Sequence, residues 1–411
     1  MALGTFNANG LFYTNYNPAE LNQRSFSNMI LRLFPNGSAP LFALTGEAGR
    51  KRAKASTHGY FTKHFAITKP VTHGSIIGPA ATTIITTSTA GIVPGMVFQV
   101  PTTRENIRVT SVTDATDFEA QRSFGGVAAA NIPASTQLIL VGNAHTEAST
   151  RPTERSMSAV YVPNYTSILR NAWALSDTAR ASLAEAGYNN VAENKLDCMT
   201  FHSTDFESQM IWGQPVAPVA DAATGKLIHS TQGFIDVMNQ YASSNIQTAA
   251  ATTNYSELVD LVDPALAQST SKDAMGRKER TIFCDNLAMK VFHDIGMNSA
   301  DVNMTIDSTT FGMQFTEFRT YRGSFRLLEH PLLSEMSQGA GTGLALIIDL
   351  PTVGVAYMDG RDIKKEQYDG SGDSTGDGID AVGGSLTSEF ATEFHSPPTC
   401  GIVNGITAYG A

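Results

Sequence analysis

The sequence predicts a mixed α+β fold with more than one subdomain. Residues 58–165 have the pattern of short strands and turns, residues 176–212 that of one long amphipathic helix, and residues 214–358 that of alternating helices and strands. The 411 residues exceed the usual size of a single hydrophobic core, and the apolar fraction of 42% is ordinary for a globular protein. We therefore expect several packed layers.

Composition narrows the classes of function. The formal net charge of −10 disfavours a dedicated nucleic-acid-binding protein, which would normally be basic. The charged fraction of 16% lies well below the usual ~25%, which suits a chain whose surface largely becomes interface. No stretch approaches the ~18 apolar residues of a membrane span, and the N-terminus lacks signal-peptide features, so we expect no membrane partner.

The first 57 residues predict an arm. Pro, Gly and Asn residues interrupt the periodicity, leaving one helical candidate at residues 21–34. The arm ends in a basic run, and the candidate anchors are Arg50, Lys51, Arg52 and Lys54. These side chains could contact an acidic neighbouring subunit or nucleic-acid phosphates. A solvated loop is the alternative.

Next, five short segments favour strands in a small barrel or sandwich. They are spaced by roughly 10 residues and separated by turn signals such as Pro94-Gly95. The segments are residues 82–87, 96–100, 105–112, 118–122 and 137–141.

The long helix predicted over residues 176–212 begins at Ser176, a favourable N-cap. Its apolar stripe would comprise Ala192, Leu196, Met199, Ser203, Phe206 and Met210, while Gly187 could mark a bend. A continuous helix of ~35 residues would be ~50 Å long at the standard rise per residue. Such a length suggests that it braces something elongated.

The remaining chain alternates between helix and strand patterns. Helices are predicted at 231–241, 255–266 and 286–295, the last ended by Gly296. Strands are predicted at 281–284, 311–318, 323–329, 344–350, 353–358, 385–394 and 402–409. We find no internal repeat.

Motifs for catalysis are missing from the sequence. It has neither GxxxxGK[ST] nor GxSxG, so the common phosphate-binding loop and nucleophile elbow are not predicted. Glu329, His330 and Asp349 could meet at strand ends as an acid–base set, which leaves a hydrolase as an alternative. A polar strand edge is the simpler interpretation, and we predict no enzyme activity and no cofactor.

Metal-binding patterns are weak. Cys198 and His202 lie four residues apart on the long helix, but no second pair has ligand spacing. The Asp-rich loop at 369–380 has only a faint similarity to a calcium loop, and whether it binds calcium stays open. The cysteines, Cys198, Cys284 and Cys400, show no CxxC spacing, and a reducing compartment is the simplest interpretation.

Several short segments resemble a known family. They are PLFALTG at 40–46, PGMVF at 94–98 with RVTSV at 108–112, LVGNA at 140–144, YTSILR at 165–170, and YRGSF at 321–325 with HPLL at 330–333. Together with the order of parts, they resemble the major capsid proteins of tailed bacteriophages with the Hong Kong 97-type fold. The resemblance is to the subgroup whose extended loop carries a small β-barrel insertion.

The resemblance implies a domain plan. It comprises an N-terminal arm at 1–57, an extended β loop at 58–172 with its barrel-like insertion at about 75–145, and a peripheral domain with the spine helix at 173–219. An α/β axial domain would occupy 220–352, and residues 353–411 would return to the peripheral domain as C-terminal strands.

It also implies function and partners. Such proteins assemble as pentamers and hexamers into an icosahedral shell around double-stranded DNA, which they approach without specific binding. The N-terminus shows no coiled-coil scaffolding segment, so a separate scaffold protein is implied, with a portal and in some relatives a decoration protein. The expected location is the virion, after assembly in the bacterial host cytoplasm. Another phage head or tail structural protein is the alternative.

Overall fold

The mixed α+β class is confirmed. The computed structural model describes residues 50–63, 67–181, 190–270, 273, 278–298, 305–310, 313–337, 343–369 and 380–410. The expected arm helix at 21–34 and most of the Asp-rich loop at 369–380 lie outside these residues.

The described strands, in chain order, are β1 (Arg50–Ala53), β2 (Tyr60–Thr62), β3 (Thr83–Ile85), β4 (Met96–Gln99), β5 (Asn106–Val112), β6 (Asp117–Gln121), β7 (Ile139–Asn143), β8 (Val160–Val162), β9 (Ser167–Ser176), β10 (Val216–Ala220), β11 (Leu227–Ser230), β12 (Ile246–Thr248), β13 (Lys278–Cys284), β14 (Thr305–Thr310), β15 (Met313–Arg319), β16 (Gly323–Glu329), β17 (Ala345–Ile348), β18 (Val353–Met358), β19 (Lys364–Asp369), β20 (Ala381–Phe394) and β21 (Gly401–Asn404).

The described α-helices are α1 (Asp177–Ala181), α2 (Asn190–Trp212), α3 (Phe234–Tyr241), α4 (Tyr255–Leu266), α5 (Asn286–Asn298) and α6 (Pro331–Ser337). The chain divides into two compact units. The insertion unit is Phe61–Tyr161, and the main unit comprises the described residues up to Tyr60 together with those from Val162 onward.

All five strands predicted in the insertion occur, as one sheet in the order β3-β6-β5-β4-β7. Their alternating apolar residues, among them Ile84, Phe98, Ile107 and Phe118, form a buried core of their own. The segment before β3 bonds to both ends of this order. Thr72 forms a bridge with Thr86 after β3, and Val71 forms one with Gln137 before β7. These bridges connect the two edge strands through one short segment.

A buried ion pair between Arg122 and Glu105 joins separate segments of the insertion unit. Arg122 donates from Nε and Nη2 to the two carboxylate oxygens of Glu105, at 2.7 and 2.8 Å. Its guanidinium also donates to the carbonyls of Gly78, Ala81 and Ala130. Burial would raise the pKa of Glu105, but these hydrogen bonds and those from the amides of Ser123 and Ala130 lower it.

In the main unit, β20 is the central strand of a five-stranded sheet. It pairs with β18 and β19 on one side and with β9 on the other, all antiparallel. Nearly every residue of β20 is buried, so both of its faces are covered by protein. Phe390 and Phe394 enter the main core, where Phe390 stacks on Phe206 of α2 with 3.8 Å between ring centroids.

The long helix differs from its prediction. Ser176 caps α1, since its Oγ accepts from the amide of Ala179 at 3.3 Å. Whether α1 continues into α2 lies outside the described residues, because 182–189 separate them.

The predicted apolar stripe of that helix was partly wrong. Leu196 and Met199 are exposed, whereas Cys198 and His202 are buried together with Phe206 and Met210. Hydrogen bonds explain this orientation. His202 contacts Asn171 of β9 and Ser388 of β20 at 2.7 and 2.8 Å, and these bonds hold that side of α2 against the sheet.

A seven-stranded sheet, in the order β12-β21-β17-β13-β16-β15-β14, forms the second layer of the main unit. Ile282 and Cys284 of β13 face one core, and Phe283 between them faces the other. Both faces are therefore covered, which explains the continuous apolar runs of β13 and β17. Helices α4 and α5 contribute Leu258, Val291 and neighbouring residues to the core of one face.

Other boundaries needed correction. Helix α5 runs past Gly296 to Asn298, so that glycine does not end it. The strand predicted at 311–318 corresponds to β15, and its partner β14 was not predicted, because Thr305–Thr310 is too polar to show a strand pattern. The helix predicted from 231 begins at Phe234, since Thr231 and Gln232 bond to Asn164 and Thr392 instead.

Candidate assembly interface

The end of the N-terminal arm forms part of the chain's own sheet. Strand β1 pairs in parallel with β18, with Arg50 opposite Val355 and Ala53 opposite Met358. Ala53 is buried, and Arg52 and Lys54 are exposed. Pairing with β18 therefore fixes the backbone of this basic run on the main unit. Strand β1 also covers an edge of β18 that would otherwise be open.

One buried carboxylate ties the arm to the sheet. Glu393 of β20 accepts from Lys51 Nζ at 2.5 Å through Oε2, and its Oε1 lies 2.8 Å from His58 Nε2. His395 Nε2 lies 2.6 Å from Oε2 and 2.9 Å from Lys51 Nζ. Lys51, His58 and His395 thus surround a carboxylate that is almost fully buried.

The electrostatics of this group, which we call the Glu393 cluster (Glu393, Lys51, His58 and His395), follow from that geometry. Burial alone would raise the pKa of Glu393. Hydrogen bonds from His395, His58 and Lys51 outweigh burial and hold the pKa well below its usual range. Glu393 is therefore ionised near neutral pH, and its charge is matched by Lys51.

The other predicted anchors have different surroundings. Arg52 Nη1 lies 3.6 Å from Asp359 Oδ1, and both side chains are largely exposed. Such surface pairs contribute little. Thus Lys51 is bound within its own chain, whereas Arg52 and Lys54 present their side chains at the surface.

The Glu393 cluster was not predicted from the sequence. Glu393 and His395 lie two residues apart, the spacing that puts two side chains on the same side of a strand, and this was the local signal. The partner Lys51 is 342 residues away, which no local pattern indicates.

The residues of the hydrolase alternative lie in separate networks. His330 Nε2 lies 2.6 Å from Glu207 Oε1 of α2, and both are fully buried. Asp349 instead accepts from Thr399 Oγ1 at 2.9 Å and lies 3.5 Å from Arg280. Ser334 donates to Glu329. These contacts link helices, strands and loops of the core and leave no exposed acid–base pair at His330.

Of the candidate metal ligands, His202 is accounted for by ordinary contacts. His202 lies against Asn171 and Ser388, and burial lowers its pKa although Asp205 partly opposes this. Within the described part of the chain, no three His, Cys, Asp or Glu side chains are grouped as metal ligands. Among the described helices, none is long and apolar enough to cross a bilayer.

Similarity to known proteins identifies the family of this chain. Residues 7–407 match the SU10 major capsid protein family. The chain belongs to this family. A major capsid protein of Pseudomonas phage PaMx41 is 42% identical over 408 residues, which span 97% of this chain and 96% of that protein.

Two of the solved structures similar to this major capsid protein come from phages. The cyanophage Pam1 capsid asymmetric unit has 8% identity over 96% of this chain and 98% of its own, with a TM-score of 0.48. Mycobacterium phage Ogopogo has 10% identity over 96% and 99%, also with a TM-score of 0.48. At these scores the assignment rests on the family and on the 42% identical relative.

Membership in this family confirms the function predicted from the sequence. The chain is a structural capsid protein of a tailed phage and not an enzyme, so the hydrolase and another phage head or tail structural protein were the wrong alternatives. The Hong Kong 97-type capsid fold predicted for it agrees with this membership.

Proposed function

We propose that this capsid protein assembles as hexamers and pentamers into the icosahedral head that encloses the phage's double-stranded DNA. Its match to a major capsid protein family over residues 7–407 carries this proposal. A separate scaffold protein and a portal complete the head, as does a decoration protein in some relatives, and assembly takes place in the bacterial host cytoplasm before the protein enters the virion.

The domain plan is part of the same proposal. Residues 1–57 form the arm, 58–172 the extended loop with its barrel-like insertion at about 75–145, 173–219 the peripheral domain, 220–352 the axial domain and 353–411 the returning strands. The bridges made by residues 71 and 72 to both edges of the insertion's sheet support a closed barrel.

We assign the anchors different roles. Lys51 fixes the arm to its own subunit through Glu393. Arg50, Arg52 and Lys54 then meet an acidic surface of a neighbouring subunit. The net charge of −10 supports this assignment, because neighbouring copies present an excess of carboxylates. The negative net charge also disfavours tight binding of the subunit to the packaged DNA.

The test is assembly. The purified protein, alone and co-expressed with the other head proteins of its phage, would be studied by sedimentation velocity and negative-stain microscopy. We expect capsomer rings or closed shells. A monomer or small dimer under every condition would contradict the proposal.

A further inference from the structure

Two segments of the main unit connect it to the insertion, and they lie side by side. We call residues 56–60 the outgoing segment, because the chain leaves the main unit after them, and residues 162–166 the returning segment. The amide of His58 in the outgoing segment donates to the carbonyl of Asn164 in the returning segment at 2.9 Å. The attachments of these two segments to the main unit therefore hold the base of the insertion.

The outgoing segment is attached to β20 by side chains of the Glu393 cluster. His58 Nε2 lies 2.8 Å from Glu393 Oε1. Two residues further on, the ring of Tyr60 meets that of His395 edge-on, with 5.1 Å between the ring centroids. Residues two apart in an extended chain share a side, so one side of the outgoing segment meets one side of β20. Glu393 and His395 thus provide neighbouring attachment points.

The returning segment is attached by a different set of hydrogen bonds. Asn164 is buried, and its Nδ2 donates to the carbonyl of Thr392 at 2.7 Å. Its Oδ1 accepts from the amide of Gln232 at 2.9 Å. Neither bond includes a side chain of the Glu393 cluster. Loosening of the outgoing segment therefore leaves the bonds of Asn164 intact.

The arm uses the attachment point of the outgoing segment. Lys51 of β1 donates to Glu393 Oε2 at 2.5 Å, while His58 lies against Oε1 of the same carboxylate. Without Lys51, the buried carboxylate would lose a charged partner and would have to admit water or turn toward solvent. Either change moves Oε1 and weakens its contact with His58. The arm and the outgoing segment are therefore coupled through Glu393.

Lys51 is accessible from outside, although its partner is not. The side chain of Lys51 is 47% exposed, whereas that of Glu393 is 5% exposed. An acidic group of another molecule can therefore compete for the ammonium group of Lys51 without entering the core. Arg50 and Arg52, to which the proposed function assigns an acidic neighbouring subunit, flank Lys51 on the same strand.

We propose that Lys51 is a latch on the base of the insertion. While it is bound to Glu393, the outgoing segment is held against β20, and displacement of the arm from Glu393 releases that segment while the returning segment stays attached. This inference deepens the role proposed for the arm and rests on it for the neighbouring subunit that displaces the arm. The coupling itself is a property of one subunit and is reciprocal.

Hydrogen exchange in unassembled subunits tests the latch. Lys51→Met removes the cation and keeps an unbranched side chain. We expect the amides of His58 and Thr166 to exchange about tenfold faster, within the usual range for coupled sites. Both amides donate between the two segments, that of Thr166 to the carbonyl of Ser56 at 2.8 Å. The amide of Gln232 should keep its rate, because its bond to the returning segment is not altered.

Matched variants separate the latch from a general loss of stability. Arg52→Met changes the next residue of β1, whose partner Asp359 is exposed, and should alter neither exchange rate. In the reverse direction, His58→Leu should speed exchange of the β18 amides that face β1, because the coupling is reciprocal. His58→Gln keeps an N–H donor for Glu393 and should restore slow exchange there.

Three results would overturn the inference. Unchanged exchange at His58 and Thr166 in Lys51→Met would show that the arm and the outgoing segment are independent. Equal acceleration in Arg52→Met would assign the effect to β1 as a whole, and equal acceleration at Gln232 would indicate general loosening. Failure of the unmodified protein to form shells would instead contradict the proposed function, since the exchange measurements need no assembly.

Discussion

At the scale of single residues, Glu393 connects the arm to the sheet. Its lowered pKa means that the folded carboxylate binds a proton less tightly than the unfolded one. The unfolded state therefore takes up more protons in acid, and stability rises with pH. The contribution is complete above the ordinary glutamate pKa of ~4.3 and is lost as the pH falls below it.

Replacing this residue tests the cluster. We expect Glu393→Gln to lower the free energy of unfolding by about 1–3 kcal/mol at pH 7, because Lys51 and both histidines lose a charged partner. The difference from the unmodified protein should shrink below pH 4. Urea unfolding followed by the fluorescence of Trp173 and Trp212, which both lie in the main unit, measures it.

A matched control is Glu366→Gln, whose carboxylate pairs with Lys364 at the surface. It should lower the free energy of unfolding far less than Glu393→Gln does, because solvent screens this pair. Equal losses for Glu366→Gln and Glu393→Gln would show that burial of the Glu393 cluster adds nothing.

Arg122 is the corresponding residue of the insertion unit. We expect Arg122→Met to destabilise that unit by about 3–5 kcal/mol, because Glu105 remains fully buried without its cation. Hydrogen exchange of the amides in β5 reports this locally, since neither tryptophan lies in the insertion. Arg151→Met removes an exposed pair with Glu154 and should leave exchange unchanged. Similar exchange in the two variants would contradict the assignment.

At the scale of elements, capping and packing set the helices. Asn254 and Glu257 form a reciprocal capping box at the start of α4, with bonds of 2.9 and 3.0 Å. We expect Asn254→Ala to cost about 1 kcal/mol and Asn254→Ser to retain most of that stability. Urea unfolding of both variants measures the difference. Equal stability of Asn254→Ala and the unmodified protein would mean that packing alone holds α4.

Helix α2 shows where local pattern fails. A period of apolar residues predicted that Leu196 and Met199 would be buried, but the sheet beside α2 offers Asn171 and Ser388, which His202 satisfies. The hydrogen bonds of a polar neighbour decided the orientation of the helix. Met199, which was predicted to be buried, instead lines a surface groove with Trp173 and Lys195.

At the scale of the whole molecule, the end of the arm has a different role from the residues before it. Strand β1 belongs to the chain's own sheet, so a deletion of residues 1–57 removes an edge strand as well as the arm. Deletion of 1–49 separates these effects. We expect this shorter deletion to give a soluble subunit with an unchanged thermal transition that forms no closed shells.

The variant lacking 1–57 should also fail to assemble, and it should unfold at a lower temperature, because β18 loses its pairing with β1 and the main unit loses the buried Ala53. Thermal unfolding and negative-stain microscopy of both deletions provide the comparison. Normal shells from the 1–49 deletion would contradict the role proposed for the arm.

The sequence by itself determined the strands whose side chains alternate or form unbroken apolar runs. The five strands of the insertion and the bounds of β16 and β18 were predicted closely. A strand buried on one face shows alternating apolar residues, and a strand buried on both faces shows a continuous apolar run. The family was also recognisable, since its short segments survive in order along the chain.

Only the tertiary structure decided which side of α2 faces the core, how Arg280, Asp349 and Thr399 meet, and that Lys51 reaches Glu393. These contacts join residues far apart in the chain, where no periodicity links the partners. Their energies depend on burial and on the full set of hydrogen-bond partners, and both are properties of the folded chain.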